Sequence, residues 1–147
     1  MLMSKVTVAK SAGFCFGVDR AVKMVYSELE NNTRVATLGP IIHNQDVVND
    51  MQAKGARIID NVDELVPDET VVIRSHGVGR DVYEAIEAKG NRMLDATCPF
   101  VSRIHKIVAE KTAEGYFILI AGDKNHPEVQ GIVGHCDENC LVFKDNF

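Results

Sequence analysis

The sequence predicts an α/β protein, with one complete unit of alternating strands and helices followed by part of a second. Three observations carry that reading. Short β-branched runs alternate with stretches of helical periodicity almost from end to end. Gly55, Gly90 and Gly115 each fall just past a helical stretch and before a strand, where a left-handed cap residue is wanted. No Pro/Ser-rich linker or low-complexity segment interrupts the alternation.

Taken in order, strands are expected at Lys5 to Ala9, Val35 to Leu38, Arg57 to Ile59, Thr70 to Ile73 and Arg92 to Leu94. Helices fill the gaps at Val18 to Asn31, Gln45 to Lys54 and Arg80 to Lys89. Together these make a first unit over residues 1–97, with the strand over 5–9 also a candidate member of a further unit. A division near Asp95 to Pro99 opens a second unit, residues 98–147. It holds a helix at Val101 to Glu114, a strand at Tyr116 to Ala121, a short helix at Pro127 to His135 and a strand at Cys140 to Phe143. That is little sheet to stand alone.

Composition narrows the class. Of 147 residues, 46% are hydrophobic and 25% charged, the balance of a globular chain rather than a disordered or membrane one. The longest apolar run, Tyr116 to Ala121, falls far short of the roughly 20 residues a membrane helix needs. Met1 to Ser4 lead almost directly into an apolar pattern with no room for a signal peptide, so a cytoplasmic location is expected. There the four cysteines are poor candidates for structural disulfides, which leaves packing, metal binding or redox chemistry. A net charge of −5 leaves no nucleic-acid footprint, and any bound anion must be attracted by a local pocket.

Cys15, His43, His76, Cys98 and His126 all lie a few residues past a predicted strand. In α/β sheets, ligands gather at the carboxyl ends of strands, where the following helices present their positive N-termini. Glycines surround these positions: Gly13, Gly17, Gly39, Gly77 and Gly122 would let backbone amides approach a ligand. Imidazoles beside helix N-termini suit a phosphate-bearing molecule. Each residue also has a plainer reading, a loop-capping histidine or a small buried cysteine. Cys15 and Cys98 are too far apart in sequence for a finger-type metal site, so metal binding there depends on the fold. Pro99 fits either a Cys-Pro cluster ligand or the first turn of a helix. Cys136 and Cys140 could bind zinc or pair under oxidation, but have only His135 nearby. His105 falls inside a helix, where a structural or exposed role is expected. Glu128, just after Pro127, either complements a helix dipole or serves as a proton donor.

Five segments, in this order, resemble the 4-hydroxy-3-methylbut-2-enyl diphosphate reductase (LytB) family: A-G-F-C-F-G-V at Ala12 to Val18, L-G-P-I-I-H-N at Leu38 to Asn44, R-S-H-G-V at Arg74 to Val78, D-A-T-C-P-F-V at Asp95 to Val101 with His105 beyond, and H-P-E-V-Q-G at His126 to Gly131. The resemblance covers the N-terminal half of that family. It implies three similar α/β units around a central [4Fe–4S] cluster held by three cysteines. Cys15 and Cys98 would be two of the ligands, and the third is absent from this chain. His43, His76 and His126 would contact the substrate, and Glu128 would deliver protons. The implied reaction is a two-electron reductive dehydroxylation that yields isopentenyl and dimethylallyl diphosphates, with a ferredoxin or flavodoxin as electron donor.

Since the implied third cysteine is missing, the chain is expected to hold at most a labile cluster and to show little turnover. An alternative is a non-catalytic fragment that binds diphosphate without a stable cluster. A zinc hydrolase built on the same Cys/His rim would instead carry stoichiometric, colourless zinc. Half of a multi-unit fold also leaves apolar surface uncovered, so self-association is expected.

Overall fold

A computed structural model describes residues 6–31 and 33–144. Four short strands, β1 (Val35–Leu38), β2 (Arg57–Ile59), β3 (Thr70–Ile73) and β4 (Met93–Asp95), form a parallel sheet in the order β2-β1-β3-β4. A second sheet is the parallel pair β5 (Ile118–Ala121) and β6 (Cys140–Phe143). Five helices connect them: α1 (Phe16–Glu30), α2 (Gln45–Ala53), α3 (Arg80–Lys89), α4 (Pro99–Ala113) and α5 (Pro127–Val133).

All residues of β1 and β3 are buried, as expected of central strands covered on both faces. Side-chain alternation sends Val35 and Val72 to one face, where Ala21, Val25 and Met51 of α1 and α2 pack. Ala36, Val71 and Ile73 go to the other, against Ile86 of α3. Full burial of each Val or Ile contributes roughly 1.5–3 kcal/mol, so these two strands anchor the unit. A third core joins Val108 of α4, Ile120 of β5, and Val129 and Cys136 around α5.

Local chemistry sets the element ends. Asn44 caps α2 by accepting a hydrogen bond from the Val47 N–H at 3.1 Å. Gly90 ends α3 in the left-handed region at φ 74°. Asn61 and Glu64 form a capping box on a 3₁₀ turn, Val62–Glu64, which the periodicity did not indicate.

Other elements shift by one or two residues. α4 starts at Pro99 because proline suits the first helical position. β5 starts at Ile118, where pairing with Cys140 begins. The expected first strand is a correction: Lys5 lies outside the described residues, and Val6 to Ala9 pair with no strand among the described residues. Val6 and Val8 are 87% and 76% exposed. Alternating valines mark a strand only when a sheet edge receives them.

A narrow seam joins the two sheets. Gly79 and Gly134 meet backbone to backbone, so closely that a Cβ on Gly134 would collide with the Gly79 Cα. The Arg80 N–H donates to the Gly134 carbonyl at 3.3 Å, and Arg80 Nη1 pairs with Asp137 at 2.9 Å. His135 Nε2–H donates to the Val78 carbonyl at 3.1 Å, which fixes that ring's tautomer. Among the described residues, no helix is long and apolar enough to cross a membrane.

Candidate functional site

Strand order reverses at β1, because the chain places β2 on one side of it and β3 on the other. Such a switch point opens a crevice at the carboxyl ends of the two strands. His43 follows β1 and His76 follows β3, so both enter that crevice, and their ring centroids are 4.6 Å apart. His126 arrives from the second sheet, 5.8 Å from His43 and 5.7 Å from His76. Three imidazoles from three loops thus form one triangle.

The helix starts that bear the two thiols lie beside it. Cys15 is the N-cap of α1 and Cys98 the N-cap of α4. The Cys98 N–H donates to the Ser75 carbonyl at 2.9 Å, which seats it next to His76. Its Sγ rests on the first turn of α1: a Cβ on Gly17 would lie 2.6 Å from it. Arg20 of α1 reaches the loop before Cys98, donating to the carbonyls of Thr97 at 3.2 Å and Asp95 at 3.1 Å. A hollow of about 210 Å³, lined by Phe14, Val18, Ile42, His43, Ser75 and His76, links the start of α1 to the imidazoles. Cys15 therefore owes its place to a helix start, not to the strand expected before it.

The electrostatics follow from burial and neighbours. Burial, with the positive surroundings of His43, Arg74 and His126, lowers the His76 pKa to about 4. The ring is neutral at neutral pH, and its Nδ1 is buried without a hydrogen-bond partner among the described residues. His126 caps α5 with its ring: Nδ1 accepts from the Glu128 N–H at 3.2 Å. That bond leaves Nε2 to carry the proton of the neutral ring. Glu128 sits in the first turn of α5, half-buried, where its backbone serves the cap.

Other candidates are placed differently. His105 is buried and stacks on His135 with centroids 4.4 Å apart. Burial first, then the neighbouring His135, lowers its pKa to about 4. The ring packs under Gly77 and Gly131, so it is structural. Gly77 is left-handed at φ 71°, and a Cβ there would lie 2.6 Å from the His105 Cε1. Cys136 is fully buried, its Sγ donates to the Ile132 carbonyl at 3.3 Å, and burial raises its pKa to about 12. It is a protonated core residue. Among the described residues, no group of three or more His, Cys, Asp or Glu side chains is placed to hold a metal ion. Cys15 and Cys98 are free thiols, exposed and half-buried respectively, with no third donor grouped with them among the described residues.

Two residues important to this geometry were not singled out from sequence. Arg20 ties the thiol-bearing helix starts together, and Arg74 lies between the triangle and the cleft separating the sheets. Arg74 stands inside R-S-H-G-V, so its motif was visible although its surroundings were not.

The chain resembles known proteins in sequence and in fold. The 4-hydroxy-3-methylbut-2-enyl diphosphate reductase of Caldanaerobacter subterraneus subsp. tengcongensis is 45% identical over 142 residues, which cover 94% of this chain and 49% of that protein. A solved structure of (E)-4-hydroxy-3-methyl-but-2-enyl diphosphate reductase, described as the terminal enzyme of the non-mevalonate pathway, superposes with a TM-score of 0.81 at 42% identity. It covers 97% of this chain and 52% of that one. The structure of the corresponding reductase from Plasmodium falciparum gives a TM-score of 0.86 at 28% identity, covering 92% of this chain and 43% of that one. The chain spans about half the length of the curated relatives it matches. Residues 6–146 match the LytB protein family, and with the fold and motifs in agreement, the chain belongs to that family.

Proposed function

We propose that this chain carries the N-terminal part of a 4-hydroxy-3-methylbut-2-enyl diphosphate reductase site, divided between units 1–97 and 98–147. The observation that supports it is the triangle of His43, His76 and His126, with centroids 4.6–5.8 Å apart, beside the helix starts that bear Cys15 and Cys98. Helix N-termini and neutral imidazole N–H groups are suited to a diphosphate, since both donate hydrogen bonds to anionic oxygens. His76 donates while uncharged, and His126 offers Nε2–H because its Nδ1 is engaged by Glu128.

The reaction takes in two electrons and two protons, breaks the allylic C–O bond and releases water. When bound, a [4Fe–4S] cluster with Cys15 and Cys98 among its ligands would supply those electrons one at a time. Glu128 is the proton donor in this reading. It lies two residues from His126 in the first turn of α5, close in the chain to the imidazoles that would hold the diphosphate. A small reduced ferredoxin or flavodoxin would feed the site.

A second reading, diphosphate binding without a stable cluster, is favoured by the incomplete donor set among the described residues. One experiment tests both. The chain is reconstituted anaerobically with iron and sulfide, then assayed for colour, substrate binding and turnover. The expected result is substrate affinity that falls in His43→Ala and His126→Ala, with labile iron and little turnover. A stable brown protein working at a normal rate would refute the expectation of a partial site, and absence of any binding would refute both readings.

A further inference from the structure

Two of the free thiols, Cys136 and Cys140, stand apart from the candidate site, beyond the end of α5 opposite to His126. Cys136 has no exposed surface, while Cys140 opens β6 and is half-buried. Cys140 packs against the third core, of which Cys136 is a member.

The chain between them is a tight reversal. The Asn139 N–H donates to the Cys136 carbonyl at 3.2 Å and closes the turn. Asp137 lies in the left-handed region at φ 45°, a conformation that short polar side chains tolerate. The reversal returns Cys140 to Cys136: burial first, and then interaction with the Cys140 sulfur, raises the Cys136 pKa to about 12. One thiol is accessible and its neighbour enclosed, which is the asymmetry of an entering and a resolving cysteine.

The same reversal carries the seam between the sheets. On one side of Cys136 the His135 carbonyl accepts from Arg80 Nη2 at 3.1 Å, and on the other Asp137 pairs with Arg80 Nη1 at 2.9 Å. A rearrangement at Cys136 therefore reaches the contacts that hold α5 to the first unit.

We propose that Cys136 and Cys140 form a reversible disulfide, with a small-molecule disulfide as oxidant, and that closing it loosens the glycine seam. The Cys140 thiolate attacks one sulfur of the oxidant, expels a thiolate and leaves a mixed disulfide. Cys136 then gives up its proton and attacks the Cys140 sulfur, which forms the bond between the two cysteines and expels the second thiolate. The protein thiols lose two electrons, the oxidant gains them, and the two released thiolates take up the two protons. The bond removes the hydrogen that Cys136 Sγ donates to the Ile132 carbonyl and draws the two sulfurs together, so the backbone of His135 to Asp137 has to shift. In a reducing compartment such a bond is transient and redox-sensing rather than structural. The assignment is independent of the role given to the imidazoles.

Oxidised glutathione is the probe, added to the purified chain before free thiols are alkylated and the protein is digested with trypsin. Cleavage after Lys124 and Lys144 releases Cys136 and Cys140 in one peptide that holds no other cysteine. The expected product is that peptide unalkylated and lighter by two hydrogens, with both alkylation sites restored by dithiothreitol. Cys136→Ala should instead trap glutathione on Cys140, and Cys140→Ala should leave Cys136 unmodified because it is enclosed. Amide exchange gives the second readout: the Arg80 N–H, bonded to the Gly134 carbonyl at 3.3 Å, should exchange about fivefold faster or more in the oxidised chain. The Cys140→Ala chain, treated in the same way, should show no such change.

Two alkylated thiols in the treated wild-type peptide, or a mixed disulfide that persists on Cys140, would overturn the pairing. Unchanged Arg80 exchange in the oxidised chain would overturn its link to the seam.

Discussion

Gly17 makes room for a sulfur atom. It lies inside α1, where alanine would raise helix propensity by roughly 1 kcal/mol, yet a Cβ there would sit 2.6 Å from the Cys98 Sγ. Gly17→Ala should therefore keep the helical circular dichroism signal and lower the iron retained after anaerobic reconstitution. Unchanged iron would mean that the thiol at Cys98 does not need this position. The buried histidines make a different prediction. His76 and His105 have folded pKa values of about 4, below the unfolded value of 6.5, and His135 is shifted in the same direction. Between these limits the unfolded chain binds more protons, so stability is full above pH 6.5 and falls as pH drops towards 4. Halving the ideal linkage value for His76 and His105, because His76 is only half-buried and the unfolded chain is itself not fully solvated, leaves a loss of about 2 kcal/mol between pH 7 and pH 5. Urea midpoints at the two pH values measure it, and His105→Asn should flatten the slope.

At the scale of elements, the position of His126 depends on α5, and α5 is seated by the glycine seam. Gly134 has ordinary right-handed angles, so alanine there meets no backbone strain, only collision with Gly79. Gly134→Ala should push α5 off the first unit, at a cost of about 1–3 kcal/mol by overpacking. It should weaken diphosphate binding at the imidazoles while both sheets keep their circular dichroism signature. Binding at wild-type strength would show that the seam does not position His126. The elements themselves were largely legible, because β-branched runs, helical periodicity and capping glycines are local signals. Val6 to Ala9 show the limit of that legibility: their alternation is real, but strand formation requires a neighbour that the pattern cannot supply.

For the molecule as a whole, the β5-β6 sheet is covered by helices on one face only. Phe117, Leu119 and Leu141 on the other are 60%, 59% and 46% exposed. Apolar surface of this kind on a two-stranded sheet is expected to drive self-association. Light scattering at rising concentration should show growth in mass, which Leu119→Lys with Leu141→Lys reduces. A monodisperse monomer over the whole range would contradict it. Much of the candidate site was visible in the sequence as a set of residues following strands. The roles of Arg20 and Arg74 were not, because each depends on groups far away in the chain: Thr97 for the first, and the cleft wall built by α5 and β6 for the second.

By itself the sequence determined the α/β alternation, the residues offered to the site and the family motifs, since each is written in short stretches of chain. Only the tertiary structure decided that β1 and β3 lie side by side with His43 and His76 at their shared crevice, that His126 closes the triangle from another sheet, and that Arg74 faces a cavity with its charge unpaired among the described residues. The physical reason is that strand order and long-range packing are settled by contacts between distant segments, whose free energies no local periodicity records.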